Sequence, residues 1–192
     1  MEKIYETAYA KINLGLDVLG KRSDGYHEVR MVMQSVGLSD AVEIEEGEGL
    51  VVETDHSGLA GGPDNLAWKA AELLARCCGK IPNVHIRLNK KIFLAAGLAG
   101  GSSDAAAVMR GLSRLWQLDL TAPELEKLAA ELGSDIPFCI TGGTALAEGR
   151  GEILTELPEA PELLLVLAKP KLEVATGWVY GNFRQQKVNQ RP

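Results

Sequence analysis

Leu94-Ala95-Ala96-Gly97-Leu98-Ala99-Gly100-Gly101-Ser102-Ser103-Asp104 is the stretch on which the reading of this chain turns. Just before it, Val84, Ile86, Leu88, Lys90 and Ile92 stand at alternate positions, the period of a half-buried strand. Just after it, Ala105, Val108, Met109, Leu112, Leu115 and Trp116 recur at helical spacing, which predicts a helix from about Ser102 to Trp116. A strand that passes through glycines into a helix start is suited to meeting an anion. Glycines allow close backbone approach and left-handed angles, and the helix start offers free N–H groups and the positive end of its dipole. Ser102 and Ser103 add hydroxyl donors and are candidate caps. No Gly-Lys-Ser or Gly-Lys-Thr follows, so this is not a Walker A loop, and the Rossmann pattern is missing too. The alternative is a plain strand-to-helix turn.

Working outward, residues 4–18 read as a strand with Ile12, Leu14, Leu16 and Val18 on one face and Lys11, Asn13, Gly15 and Asp17 on the other. A turn signal, Arg22-Ser23-Asp24-Gly25, comes next. Val29–Val36, Val42–Ile44 and Leu50–Glu53 read as further strands, and Asn65–Cys78 as a helix with Leu66, Ala70, Leu73, Leu74 and Cys77 at core spacing. Thr121 and Glu124 fit a capping box ahead of a helix carrying Leu125, Leu128, Ala129 and Leu132. Gly133-Ser134-Asp135-Ile136-Pro137 reads as a turn, Thr144–Glu148 and Leu163–Ala168 as strands, and Thr176–Phe183 as the beginning of a helix. Strands first, then helices and strands mixed, give an α+β class.

The chain has 192 residues, of which 46% are hydrophobic and 24% charged, the balance of a globular protein able to bury its own core. Its net charge of −6 argues against nucleic-acid or anionic-membrane partners. No apolar run nears a membrane span and MEKIYETAYAKI has no secretory apolar region. Cys77, Cys78 and Cys139 form neither a disulfide framework nor a zinc pattern, so a cytoplasmic location is expected. Lys169 to Pro192 carries five Lys/Arg against one Glu, most simply a solvated surface.

Three further features carry possible chemistry. Lys11, mid-strand beside Asn13, is either a solvated edge residue or a cation aimed at a cleft; alone, the first reading is favoured. Asp135 lies on a turn bounded by apolar residues, either as a helix N-cap or as a general base whose charge a nearby Lys would offset. Tyr26 and His27, directly after a turn, are either packing residues or a platform that stacks on and hydrogen-bonds a heteroaromatic ring.

Together these stretches resemble the GHMP kinase superfamily, whose ATP loop has the form Pro-x-x-x-Gly-Leu-x-Gly-Gly-Ser-Ser. Within it they are similar to the 4-diphosphocytidyl-2-C-methyl-D-erythritol kinases of non-mevalonate isoprenoid precursor biosynthesis. The opening signature is Ala10-Lys11-Ile12-Asn13-Leu14 followed by Arg22-Ser23-Asp24-Gly25-Tyr26-His27-Glu28; the ATP loop is Leu94 to Asp104; the catalytic turn is Gly133-Ser134-Asp135-Ile136-Pro137-Phe138. The loop's leading Pro is Leu94 here. The resemblance implies a GHMP kinase N-terminal domain, ribosomal protein S5 domain 2-like, over residues 1–168, with residues 169–192 beginning a C-terminal domain. It implies ATP-dependent phosphorylation of the substrate's tertiary 2-hydroxyl. Asp135 would be the base and Lys11 would stabilise the developing charge. Leu94, Ala95, Ala96, Gly97, Leu98, Ala99, Gly100, Gly101, Ser102, Ser103 and Asp104 would cradle ATP. Mg²⁺ would be held chiefly by the nucleotide. Asn13, Tyr26, His27, Thr176 and Tyr180 would contact the cytidyl-diphosphate methylerythritol, with Phe183 an alternative to Tyr180 for one face of the ring. The other expectations are a different GHMP-type kinase, acting on homoserine, mevalonate or a sugar, and an inactive nucleotide-binding fragment.

Overall fold

The computed structural model describes residues 3–170 and 176–183. Its spine is a hairpin of two long strands, β1 (Lys3–Lys21) and β2 (His27–Glu46), paired antiparallel along nearly their whole length. The turn between them forms where the sequence signals it: the Arg22 N–H donates to the Tyr26 carbonyl at 2.8 Å, and Gly25 takes a φ of +88°. On its other edge β2 has two partners. Residues 29–34 pair with β5 (Thr144–Gly149), and residues 41–46 pair with β4 (Val84–Asn89). β3 (Leu50–Thr54) lies parallel to β4, and β6 (Ile153–Glu156) adds to β5, giving a six-stranded mixed sheet. The two strands read at Val29–Val36 and Val42–Ile44 are thus one strand. The interruption between them is a register shift, Tyr9 facing Ser39 and Lys11 facing Ser35.

Helices cover one face of the sheet. α1 (Leu66–Cys77) is capped by the Asn65 side chain, which accepts from the Ala67 N–H at 2.9 Å. α2 (Gly100–Leu115) is buried almost all round from Ser103 to Ser113. It lies close to the sheet because residue 111 is glycine: a Cβ there would stand 2.5 Å from Ile44 Cδ1. α3 (Ala122–Ala129) starts at the expected capping box, where the Glu124 carboxylate accepts from both the N–H and the hydroxyl of Thr121. The main core lies between these helices and Ala8, Val42, Ile44, Val84, Ile86 and Leu88 of the sheet.

Four readings need correction. Leu14 and Leu16, expected to face inward, are exposed, whereas Ala8, Ala10 and Lys11 are buried. The irregularities at Tyr9/Lys11 and Asn13/Gly15 break the strict alternation that reading assumed. Cys77 is exposed, and Ala67, Ala71 and Ala75 complete the buried face of α1 instead. The turn at 133–137 opens a short helix, α4 (Ile136–Thr141), with Pro137 in its first turn, where a missing N–H costs nothing. Leu163–Ala168 is not a strand: Leu164 and Val166 are almost fully exposed and, among the described residues, the segment pairs with no strand. The last described helix, α5, spans Thr176–Asn182.

Candidate active site

Lys11 is 5% exposed, and a lysine is buried to that degree only when paired. Its Nζ lies 3.4 Å from Asp135 Oδ2 and donates to Asn13 Oδ1 at 3.3 Å. The bulge after Tyr9 turns this side chain inward, which strict alternation could not foresee. Asp135 is the residue that precedes α4, but its carboxylate does not cap that helix and is about one-third exposed. Both possible roles for Asp135 are therefore divided: its backbone starts the helix, while its side chain faces the lysine.

The glycine stretch docks against the same strand. The backbone N–H of Lys11 donates to the Leu98 carbonyl at 3.1 Å, and the Ser103 hydroxyl donates to the Tyr9 carbonyl at 2.6 Å. Leu98 and Ile92 pack with Ala10 in a small core of their own beneath the loop. Within the loop Ala95, Gly97 and Ala99 all hold positive φ, at 50°, 72° and 58°. Left-handed residues alternating along a chain turn successive N–H groups toward a common concavity, an anion-binding geometry. Gly97 adopts this conformation freely; each alanine is strained by roughly 1 kcal/mol or more. α2 begins two residues earlier than expected, with Ala99 as its uncapped start, so Ser102 and Ser103 do not cap it. The amides of Gly100, Gly101 and Ser102 precede the first intrahelical bond, from Ser103 N–H to the Ala99 carbonyl. These amides and the concavity fit a phosphate chain.

A buried ion cluster clamps the loop at both ends. Lys90 Nζ bridges the carboxylates of Asp40 and Asp104, and all three side chains are at least 98% buried. Asp40 Oδ1 also accepts from the backbone N–H groups of Lys91 and Ile92. One lysine shared by two carboxylates leaves an excess negative charge. Burial, reinforced by the Asp40 charge and opposed by Lys90, pushes the Asp104 carboxyl up to about 7. Among the described residues Asp104 Oδ1, which is buried, has no hydrogen-bond partner, a further cost of its ionised form. Asp104 is thus part of the loop's foundation rather than its rim.

At the other end of the site, Tyr26 is 55% exposed, with the Arg150 guanidinium 5.0 Å above its ring. His27 stacks on Tyr180 at 5.2 Å and meets Phe183 edge-on at 6.4 Å. Tyr180 packs against the small core that holds Phe138 of α4, the helix Asp135 begins, and burial and then the Asp135 charge raise its hydroxyl above the usual range. Tyr180 therefore neighbours His27, and the residue over Tyr26 is Arg150. Asn13 is exposed beside Lys11. The Thr176 side chain lies outside the described residues. Burial, then the Asp135 charge, push the Cys139 thiol up to about 12, so it stays protonated and inert. A groove of about 700 Å³ on the helix-free face of the sheet, lined by Tyr5, Thr7, Glu43, Arg87 and Asn89, contains none of these residues. Sequence reasoning missed Arg110 and Arg150. The available signal for the first was an arginine set between the buried Met109 and Gly111 of α2; nothing marked the second.

The whole chain aligns with the 4-diphosphocytidyl-2-C-methyl-D-erythritol kinase of Acetivibrio thermocellus at 49% identity, over 68% of that protein. This chain belongs to that kinase family. The enzyme of the same description from Synechococcus sp. is 51% identical over 96% of this chain and 60% of its own length. The GHMP kinases N terminal domain family matches residues 65–143, which include the glycine loop and the Asp135 turn. A crystal structure of 4-(cytidine 5'-diphospho)-2C-methyl-D-erythritol kinase superposes with a TM-score of 0.77 at 36% identity, over 94% of this chain and 65% of that one. A homoserine kinase structure from Cytophaga hutchinsonii, 18% identical with a TM-score of 0.71, shares the fold over 98% of this chain and 62% of its own. The fold is that of the GHMP kinases. The chain spans about three-fifths to two-thirds of the length of these relatives.

Proposed function

We propose that this chain provides the ATP-binding and catalytic part of a kinase that phosphorylates the 2-hydroxyl of 4-diphosphocytidyl-2-C-methyl-D-erythritol. The observation that carries the reading is the buried Lys11, whose Nζ lies 3.4 Å from Asp135 and whose own backbone N–H donates to Leu98 of the phosphate loop. The relatives' names supply the substrate. In this scheme the γ-phosphate of ATP rests on the amides of residues 97–102 and the start of α2. The substrate hydroxyl is deprotonated by Asp135 as its oxygen attacks the γ-phosphorus, the bond to the ADP oxygen breaks, and Lys11 neutralises charge on the reacting oxygens. Such chemistry depends on position and charge more than on covalent steps. Mg²⁺ would arrive on the nucleotide. Among the described residues there is no cluster of three or more His, Cys, Asp or Glu to hold it. Asn13, Tyr26 and His27 would receive the cytidyl end, with Thr176 and Tyr180 beside it.

Residues 1–168 would form this domain and 169–192 would lead into the next. No helix among the described residues is long and apolar enough to cross a membrane, and we place the enzyme in the cytoplasm, without nucleic-acid partners. Coupled ATP turnover on the cytidyl-diphosphate substrate, wild type against Asp135→Ala, tests the reading. A loss of about 10³-fold or more, with ATP still bound, is the expected result. Undiminished turnover in the variant removes Asp135 as the base. ATP binding without turnover in either protein means that the chemistry needs residues beyond this chain.

A further inference from the structure

Arg110 stands in the middle of α2 between the buried Met109 and Gly111, and its guanidinium ties that helix to β1 and α4. Nη1 donates to the Cys139 carbonyl at 2.6 Å and to the Ile140 carbonyl at 3.3 Å; Nη2 donates to the Thr7 carbonyl at 2.9 Å; Nε donates to Glu6 Oε2 at 3.1 Å. Cys139 and Ile140 are in the last turn of α4, where carbonyls have no partner within the helix and the dipole favours a cation. Asp135 begins that helix. Six residues of helix span only about 9 Å, so whatever fixes one end orients the other. Thr7 and Glu6 are on β1, the strand that carries Lys11. The same side chain therefore holds the helix of Asp135 against the strand of Lys11.

We propose that Arg110 is a positioning residue: by tying the C-terminal carbonyls of α4 to β1 it sets the separation and aim of the Asp135–Lys11 pair. A guanidinium suits this task because its donors form a planar fork that can serve several acceptors at once, whereas a lysine ammonium offers a single point. Arg114, one turn further along α2, provides the contrast. It also binds Glu6, at 2.5 Å, and donates to the Tyr5 carbonyl at 3.2 Å, but makes no bond to α4. Loss of Arg114 removes a comparable tie to β1 and leaves α4 alone.

The inference rests on the kinase reading above, and its test separates the two. Arg110→Met, Arg110→Lys and Arg114→Met are compared in the full chain by steady-state kinetics and by amide hydrogen exchange. Arg110→Met is expected to lower kcat about 30-fold, in the range a misplaced catalytic group costs, while KM for ATP changes less than about threefold. Arg110→Lys recovers part of that loss, and Arg114→Met stays within about twofold of wild type. In an Asp135→Ala background Arg110→Met costs almost nothing more, because its effect passes through Asp135. Equal losses in Arg110→Met and Arg114→Met, or full kcat in Arg110→Met, would overturn the proposal. If wild type binds ATP without turnover, the chemistry needs residues beyond this chain and exchange decides the positioning; if it binds no ATP, the kinase reading fails and exchange still decides the positioning. The Cys139 and Gly142 amides, bonded to the Asp135 and Phe138 carbonyls, then lose protection in Arg110→Met but not in Arg114→Met. Unchanged protection at both amides refutes it.

Discussion

The two ends of the site are built differently. The phosphate end is held from below and from both sides. Leu98 and Ile92 are buried in a small core, Ser103 and Lys11 bond across to the loop and strand, and the Lys90 cluster fastens the loop where it starts and where it becomes helix. The aromatic end stands on a hairpin turn, with Tyr26 mostly in solvent and touched by a side chain from another turn, Arg150. The His27 ring, at the first residue of β2, rests on Tyr180 of α5 and on Phe183 just beyond that helix. The first end is a finished piece of the domain, and its groups are paid for by burial. The second is a set of adaptable contacts whose order depends on what packs against it.

That contrast can be broken most forcefully at Asp40. Asp40→Ala strips Lys90 and two loop amides of their acceptor, leaving a buried cation with Asp104 alone, and is expected to cost about 3–5 kcal/mol in denaturant unfolding. A cost under about 1 kcal/mol would mean the clamp is ornamental. Next comes Asp104. Its carboxyl titrates at about 7 in the folded chain against 3.8 as the reference, so between these values the folded state keeps a proton that the unfolded state has released. The contribution of Asp104 to stability therefore falls as pH rises from about 4 through 7. Asp104→Asn removes that contribution and should flatten the stability curve over this window, read by unfolding at a series of pH values. A slope that survives the change would assign it elsewhere.

Smaller effects sharpen the comparison. Ala99→Gly relieves a left-handed alanine and should raise stability by about 0.5–1 kcal/mol, measured by chemical denaturation, since the relief outweighs the added freedom of the unfolded chain. Destabilisation would show that the Ala99 methyl group does more for packing than its strain costs. Tyr26→Ala should leave stability within about 0.5 kcal/mol, as an exposed turn residue does. The same substitution should raise KM for the cytidyl substrate about tenfold and leave KM for ATP alone. An equal rise in both would merge the two ends into one coupled site.

How much of this was legible beforehand follows the same division. The glycine loop and the helix after it could be read because their residue types serve one local geometry, and the capping box at Thr121 for the same reason. The inward turn of Lys11 could not, because a bulge changes which residues face the core and leaves no mark in an alternating pattern. α4 was hidden by its own Pro137 and a neighbouring glycine, which signal a turn whether or not a helix follows. Leu163–Ala168 has the composition of a strand, but pairing is a property of two segments, and among the described residues no strand lies alongside it. The ties of Arg110 join residues 6, 7, 139 and 140, separations that no local pattern encodes.

The double edge of β2 has a consequence for how the chain is made. β1 and β2 can zip together as soon as both have left the ribosome, because only a short turn separates them. The opposite edge must wait. Residues 41–46 find their partners when residues 84–89 emerge, while Gln34 waits for Thr144, 110 positions later. From residue 46 until residue 144 emerges, the growing polypeptide therefore carries a preformed hairpin with part of one flank unsatisfied. The stretch of that flank exposed longest, Val29 to Gln34, includes Met31 and Met33 at positions that end up buried. Conditions that slow translation between residues 90 and 144 should therefore favour self-association of the nascent chain more than a similar delay near its beginning.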